Sequence, residues 1–157
     1  MPGSEALIAH DRHRITFDAV QLVLSFAGTS CPSVTFMARV LIVDDSPSQL
    51  IGLKRIMEKL GHAVITAEDG VTGVEAARRE LPDLILMDVV MPNLNGFQAT
   101  RSIAKDPATA HIPVILVTTK DQATDRLWGL RQGARAYVTK PINEAELGEA
   151  LREVLGG

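Results

Sequence analysis

A chain of 157 residues with 46% hydrophobic, 22% charged and 4% aromatic residues has the make-up of one well-cored globular domain, and excludes a disordered or fibrous protein. The formal net charge of −3 and the absence of any Lys/Arg run longer than two exclude the basic footprint that phosphate-backbone contacts require, so direct nucleic-acid binding is not expected. Cys31 is the only cysteine, and His10, His13, His62 and His111 show no metal-ligand spacing with it, which points to a reducing, cytoplasmic setting without a zinc site.

Periodic structure with matching caps begins at Arg39, so residues 1–36 are expected to be a poorly ordered extension, or to lie upstream of a true start at Met37. The apolar stretch Val20 to Ala27 is interrupted by Gln21 and Ser25 and preceded by Asp18. It falls far short of a membrane span. Arg12, Arg14, that stretch and the small residues Ala27 and Gly28 outline a signal peptide whose apolar region is at the short limit, which makes export the weaker reading.

From there strands and helices alternate. Val40-Leu41-Ile42-Val43 is a short apolar run ending in Asp44-Asp45, as expected of a strand buried on both faces of a parallel sheet. Ser46 as cap, Pro47 at the first helical position and Gln49 closing a capping box predict a helix, with Leu50, Leu53, Ile56, Met57 and Leu60 on one face and Gly61 ending it. Ala63 to Ala67 follows as a strand, Val71 to Leu81 as a helix broken at Pro82, and Leu84 to Met87 as an apolar strand running into Asp88. After the turn-rich segment from Met91 to Gly96, Phe97 to Ile103 reads as the third helix and Val114 to Val117 as the fourth strand, ending at Thr118. Gln122 to Gln132 is the fourth helix, stopped by Gly133. Tyr137 to Thr139 is the fifth strand, ending at Lys140-Pro141, and Asn143 with Glu146 predicts a capping box for a last helix with Leu147, Ala150, Leu151, Val154 and Leu155 on one side.

Five strands alternating with five helices predict an α/β, doubly wound parallel sheet. The flavodoxin-like order 2-1-3-4-5 is adopted by analogy with the known fold, and puts strands one and three together at a switch point, where ligands bind beyond the strand ends. Asp44, Asp45, Asp88, Thr118 and Lys140 then all fall at carboxyl ends of strands. Alone, each has a plain structural explanation: an acidic pair often caps a helix, and a Lys before Pro is often just exposed. Their convergence on one edge is harder to explain that way.

Unit charges of like sign at about 4 Å repel by roughly 4 kcal/mol at an effective dielectric of 20, so a cation is expected among the carboxylates. An all-oxygen set with open positions suits Mg²⁺. Lys140 can hold a phosphoryl oxygen as a point charge, and the Thr118 hydroxyl can donate to another. Asp88 is the best placed nucleophile toward phosphorus, and the carbonyls of the loop after it are available to complete a metal shell.

These residues carry a resemblance. LIVDDS at 41 to 46, LILMDVVMPNLNG at 84 to 96, VILVTTK at 114 to 120 and YVTKPI at 137 to 142 resemble bacterial two-component response-regulator receiver domains, and the likeness spans residues 37–157. It implies that a histidine kinase phosphorylates Asp88. It implies further that Asp45, Asp88 and the Val90 carbonyl bind Mg²⁺, that Asp44 assists through water, and that Thr118 and Lys140 contact the phosphoryl group. Tyr137 would change rotamer as a switch with Thr118, altering a target-binding surface made by the fourth helix, fifth strand and fifth helix, and the Lys140–Pro141 bond would be cis.

NGFQATR at 95 to 101 and VTTKDQATD at 117 to 125 are similar to regulators of type IV pilus twitching motility. No output domain is expected beyond Gly157, which suits a diffusible single-domain regulator of pilus motility or chemotaxis, without an external substrate and without a membrane partner. The resemblance implies that Val90 and Lys120 border the path of an attacking water, and apolar Val90 is expected to screen the acyl phosphate. Swapping the fourth-helix charges Asp121, Asp125, Arg126 and Arg131 is expected to change partner choice while sparing phosphorylation. The alternatives are a phosphate sink, a non-phosphorylated scaffold, and a Mg²⁺-dependent aspartyl-phosphate phosphatase, which would need an Asp-x-Asp pattern after strand one. A flavin module would need a Gly/Ser/Thr phosphate loop where this chain is acidic.

Overall fold

Val40 to Val43 is apolar without interruption because both sides of the strand are covered, Leu41 and Val43 entering one core cluster and Val40 and Ile42 the other. The computed structural model describes residues 37–156. The expected extension over 1–36, its export reading, Cys31, His10 and His13 lie outside the described residues.

The elements are β1 (Arg39–Val43), α1 (Pro47–Lys59), β2 (Ala63–Ala67), α2 (Gly70–Glu80), β3 (Leu84–Met87), α3 (Gly96–Lys105), β4 (Val114–Thr118), α4 (Ala123–Arg131), β5 (Ala136–Thr139) and α5 (Glu144–Gly156). The strands pair in parallel in the order β2-β1-β3-β4-β5. This is the expected flavodoxin-like sheet.

Helices α1 and α5 cover one face, with Leu50, Leu53, Met57, Leu147 and Leu151 on Val40, Ile42, Leu86, Ile115 and Val138. On the other face Val74 and Ala77 of α2 and Ala99 and Ile103 of α3 meet Leu41, Val43, Ile85, Met87 and Leu116. Burying each large aliphatic side chain stabilises by about 1.5–3 kcal/mol, so this core supplies a rigid frame for the strand ends. The helix-period faces read from the sequence for α1 and α5 match it: Ile56, Leu60, Ala150, Val154 and Leu155 pack at the margin, partly buried.

The helix ends differ from expectation in instructive ways. Ser46 caps α1 and Pro47 opens it, but no side-chain cap bond forms. The Ser46 N–H, which Gln49 would have to engage in a capping box, donates instead to Asp44 Oδ1 at 2.9 Å. A carboxylate is the stronger acceptor. At α5 the Asn143 side chain accepts from the Ala145 N–H at 2.9 Å rather than from Glu146. Capping boxes occur where none was expected, Asp69 with Thr72 on α2 and Asn95 with Gln98 on α3.

Register places the site. Val43 lies opposite Met87, so the residues that follow, Asp44 and Asp88, emerge side by side. Thr118 lies opposite Thr139, which brings Lys140 beside Thr118. Gly96 lets α3 begin directly against the loop after β3: its N–H donates to the Val89 carbonyl at 2.9 Å, and a Cβ there would collide with the Asp88 backbone carbonyl. Gly96→Ala is therefore expected to lower stability by about 1–3 kcal/mol, read as an earlier urea midpoint. An unchanged midpoint would contradict this close approach.

Candidate functional site

Asp44 leaves β1 with its N–H donating to the Ala67 carbonyl at 3.1 Å, and its side chain is buried. Oδ1 accepts from Ser46 N–H, and Oδ2 accepts from Lys140 Nζ at 2.8 Å. Asp88 leaves β3 with its N–H on the Val43 carbonyl at 2.9 Å, and its Oδ1 accepts from Val89 N–H at 2.9 Å. Asp45 is exposed at the mouth. Ligand oxygens of Asp44, Asp45 and Asp88 lie within 4.8 Å of one another. Lys140 Nζ stands 3.8 Å from Asp88 Oδ1, so one ammonium serves two buried carboxylates.

One positive charge does not balance three negative ones. Burial pushes the Asp88 carboxyl up to about 6; Lys140 pulls it down, and Asp44 pushes it up further. An all-oxygen donor set that is open on the Asp45 side and short of positive charge fits a small hard dication.

Thr118 is fully buried at the end of β4, and its Oγ1 accepts from Lys120 N–H at 3.3 Å. That leaves the hydroxyl hydrogen free to donate. Lys140 N–H donates to the Thr118 carbonyl at 2.8 Å, and the Lys140–Pro141 bond is cis. Tyr137 on β5 is buried, and its hydroxyl donates to the Lys120 carbonyl at 2.7 Å. Burial, then nearby Asp125, raises its phenol pKa above the ordinary value. Val90 keeps 54% of its surface exposed, in the loop that follows Asp88.

Asp44, Asp45, Asp88 and Lys140 are thus brought together, and Thr118 is tied to Lys140 through the backbone. Sequence reasoning took Ser46 only as a cap and Arg126 only as a fourth-helix surface charge, and passed over Gly129; the Ser46 N–H donates to Asp44, and Arg126 and Gly129 flank Tyr137. A glycine inside a helical pattern was the available signal for the last of these.

The model of the response regulator receiver domain family matches residues 40–152. The chain belongs to this family. It is 59% identical over 121 residues to Protein PilH of Pseudomonas aeruginosa, covering 77% of this chain and 100% of that protein. Against the response regulator PleD of Caulobacter vibrioides it is 42% identical over 117 residues, 74% of this chain but only 26% of that longer protein.

Among solved structures, the receiver domain of a sensor histidine kinase from Pseudomonas aeruginosa PAO1, which has a magnesium ion coordinated in its active site cleft, superposes with a TM-score of 0.72 at 32% identity, over 77% of this chain and 99% of that one. The chemotaxis protein CheY4 of Vibrio cholerae gives 0.72 at 31% identity, over 76% and 99%. Among the described residues no helix is long and apolar enough to cross a membrane.

The charge imbalance has a measurable sign. Asp88 titrates near 3.8 when unfolded and about 6 when folded, so its protonated form favours folding. That contribution is complete below pH 3.8 and is lost as pH rises through 6. With EDTA at pH 8, Asp88→Asn is expected to raise unfolding free energy by about 2–3 kcal/mol, and the gain should shrink below pH 5. A destabilised or neutral Asp88→Asn in urea melts at pH 8 would contradict the strained-carboxylate account.

Proposed function

We propose that this receiver domain, taken as residues 37–157, is switched by transfer of a phosphoryl group from a histidine kinase to Asp88. The observation that carries the reading is the convergence of Asp44, Asp45 and Asp88 with Lys140. A carboxylate oxygen of Asp88 attacks phosphorus, the bond from phosphorus to the donor nitrogen breaks, and the histidine keeps that electron pair. Asp88 must be ionised to attack, and with a pKa of about 6 it is so at neutral pH.

Lys140 is already within 3.8 Å of Asp88, and shifts from Asp44 onto a phosphoryl oxygen. The free hydroxyl hydrogen of Thr118 donates to another such oxygen. Asp45, Asp88 and the Val90 carbonyl would hold Mg²⁺, with Asp44 assisting through water. Bound there, it would supply positive charge against the phosphoryl oxygens. The magnesium in the cleft of the sensor-kinase receiver supports the choice of ion.

The readout is protein–protein contact through α4, β5 and α5. Likeness to PilH supports a role in pilus-mediated, twitching motility. The setting is the cytoplasm, and neither nucleic acid nor membrane is a direct partner.

The chain incubated with acetyl phosphate and Mg²⁺ is expected to gain one phosphoryl group by intact mass, and to gain none without Mg²⁺ or as Asp88→Asn. No adduct under rapid quench, with the fold intact by circular dichroism, would favour a scaffold. Followed after donor removal, the same signal is expected to decay several-fold faster in Val90→Asn, because a polar side chain there can position water where the valine methyls exclude it. An unchanged decay would sink the screening role of Val90.

A further inference from the structure

Helix α4 buries only Gly129 and leaves Leu127, Trp128 and Leu130 about half exposed, so it meets the sheet through a residue that has no side chain. The glycine makes room for Leu116 first, and beside it for the Tyr137 and Phe97 rings. A Cβ at position 129 would stand 3.3 Å from Tyr137 Cδ2, 3.3 Å from Phe97 Cε1 and 2.5 Å from Leu116 Cδ1.

Arg126 precedes Gly129 by three positions and so shares its side of the helix. Its guanidinium carbon lies 5.4 Å from the ring centroid, within cation–π range. The far end of the ring is also held, since the Tyr137 hydroxyl donates to the Lys120 carbonyl at 2.7 Å. Lys120 in turn donates its N–H to Thr118 Oγ1 at 3.3 Å. The residue that fixes the tip of the ring therefore also orients the hydroxyl at the site.

We propose that Gly129, Arg126 and the Lys120 carbonyl form a slot that holds Tyr137 inward before any phosphoryl transfer, with Arg126 as the positioning residue that sets the inward population. The consequence for transfer rests on the phosphoacceptor reading of Asp88: with Tyr137 and Lys120 already docked, less of the population has to rearrange when Thr118 engages a phosphoryl oxygen. Arg126 touches neither Asp88 nor the transferring group in this scheme. It acts through the ring and the Lys120 carbonyl.

Tyr137 is the only tyrosine of the chain, so the full chain labelled with meta-fluorotyrosine gives a fluorine NMR signal from this ring alone, and its solvent-isotope shift reports exposure. The unphosphorylated protein is expected to show a small shift. Arg126→Ala, a change at an exposed position, is expected to raise the outward population about two- to fivefold, the size of a surface cation–π contact, and Arg126→Lys should fall between. Gly129→Ala should drive the ring further out, with circular dichroism confirming that the helix persists.

An Arg126→Ala signal that superimposes on the unsubstituted one, with the fold intact, would overturn the slot. Labelling by acetyl phosphate with Mg²⁺ on the same samples separates the two readings. Slower labelling in Arg126→Ala, restored in part by Arg126→Lys, supports the positioning role, and equal rates despite an outward ring overturn it. If the unsubstituted chain takes no phosphoryl group, the phosphoacceptor reading falls and with it the positioning role, while the NMR comparison still decides whether the slot exists.

Discussion

The site depends on one register. With Val43 opposite Met87 in adjacent parallel strands, the chain delivers Asp44 and Asp88 side by side at the carboxyl ends of the strands. Like charges at such spacing cost several kcal/mol at an intermediate dielectric, which the pair with Lys140 at 2.8 Å offsets only in part. The raised pKa of Asp88 expresses the remainder. A fold that builds such a cluster without neutralising it stores an affinity for positive charge.

The same cluster reaches outward through hydrogen bonds. Asp44 takes the Ser46 N–H and so fixes the start of α1. On the other side, Lys140 is tied by its backbone to Thr118, Thr118 to Lys120, and Lys120 to the Tyr137 hydroxyl. A change in the charge around Asp88 that moves Thr118 therefore meets a short chain of directional contacts ending beneath α4. The exposed Leu127, Trp128 and Leu130 on that helix are the surface such a motion would displace.

Much of this was legible in the sequence, for identifiable reasons. β1, β3 and β4 carry uninterrupted apolar runs, Val40 to Val43, Leu84 to Met87 and Val114 to Val117, because both faces are buried, and a polar residue follows each run. Asp44, Asp45, Asp88 and Thr118 could be placed from those runs once the strand order was assumed, and Lys140 from the end of β5. The order itself came by analogy. The capping box at Ser46 failed because a local rule met the Asp44 carboxylate, which competes for the same N–H, a conflict of the kind expected at a candidate site. Asp69 with Thr72 escaped notice because threonine is not the usual partner at that position. α4 was illegible in a different way: its apolar residues Leu127, Trp128 and Leu130 point to solvent while a glycine faces the core, which inverts the pattern on which helix faces are read.

Asp44, Asp45 and Asp88 make a cluster at the strand ends that is short of positive charge and suited to a divalent cation. Isothermal calorimetry of Mg²⁺ binding to the full chain, beside Asp45→Asn, tests it most directly. One saturable site per chain is expected, weakened at least about tenfold when Asp45 loses its charge, the equivalent of about 1.4 kcal/mol. No saturable binding, or equal affinity in Asp45→Asn, would contradict it.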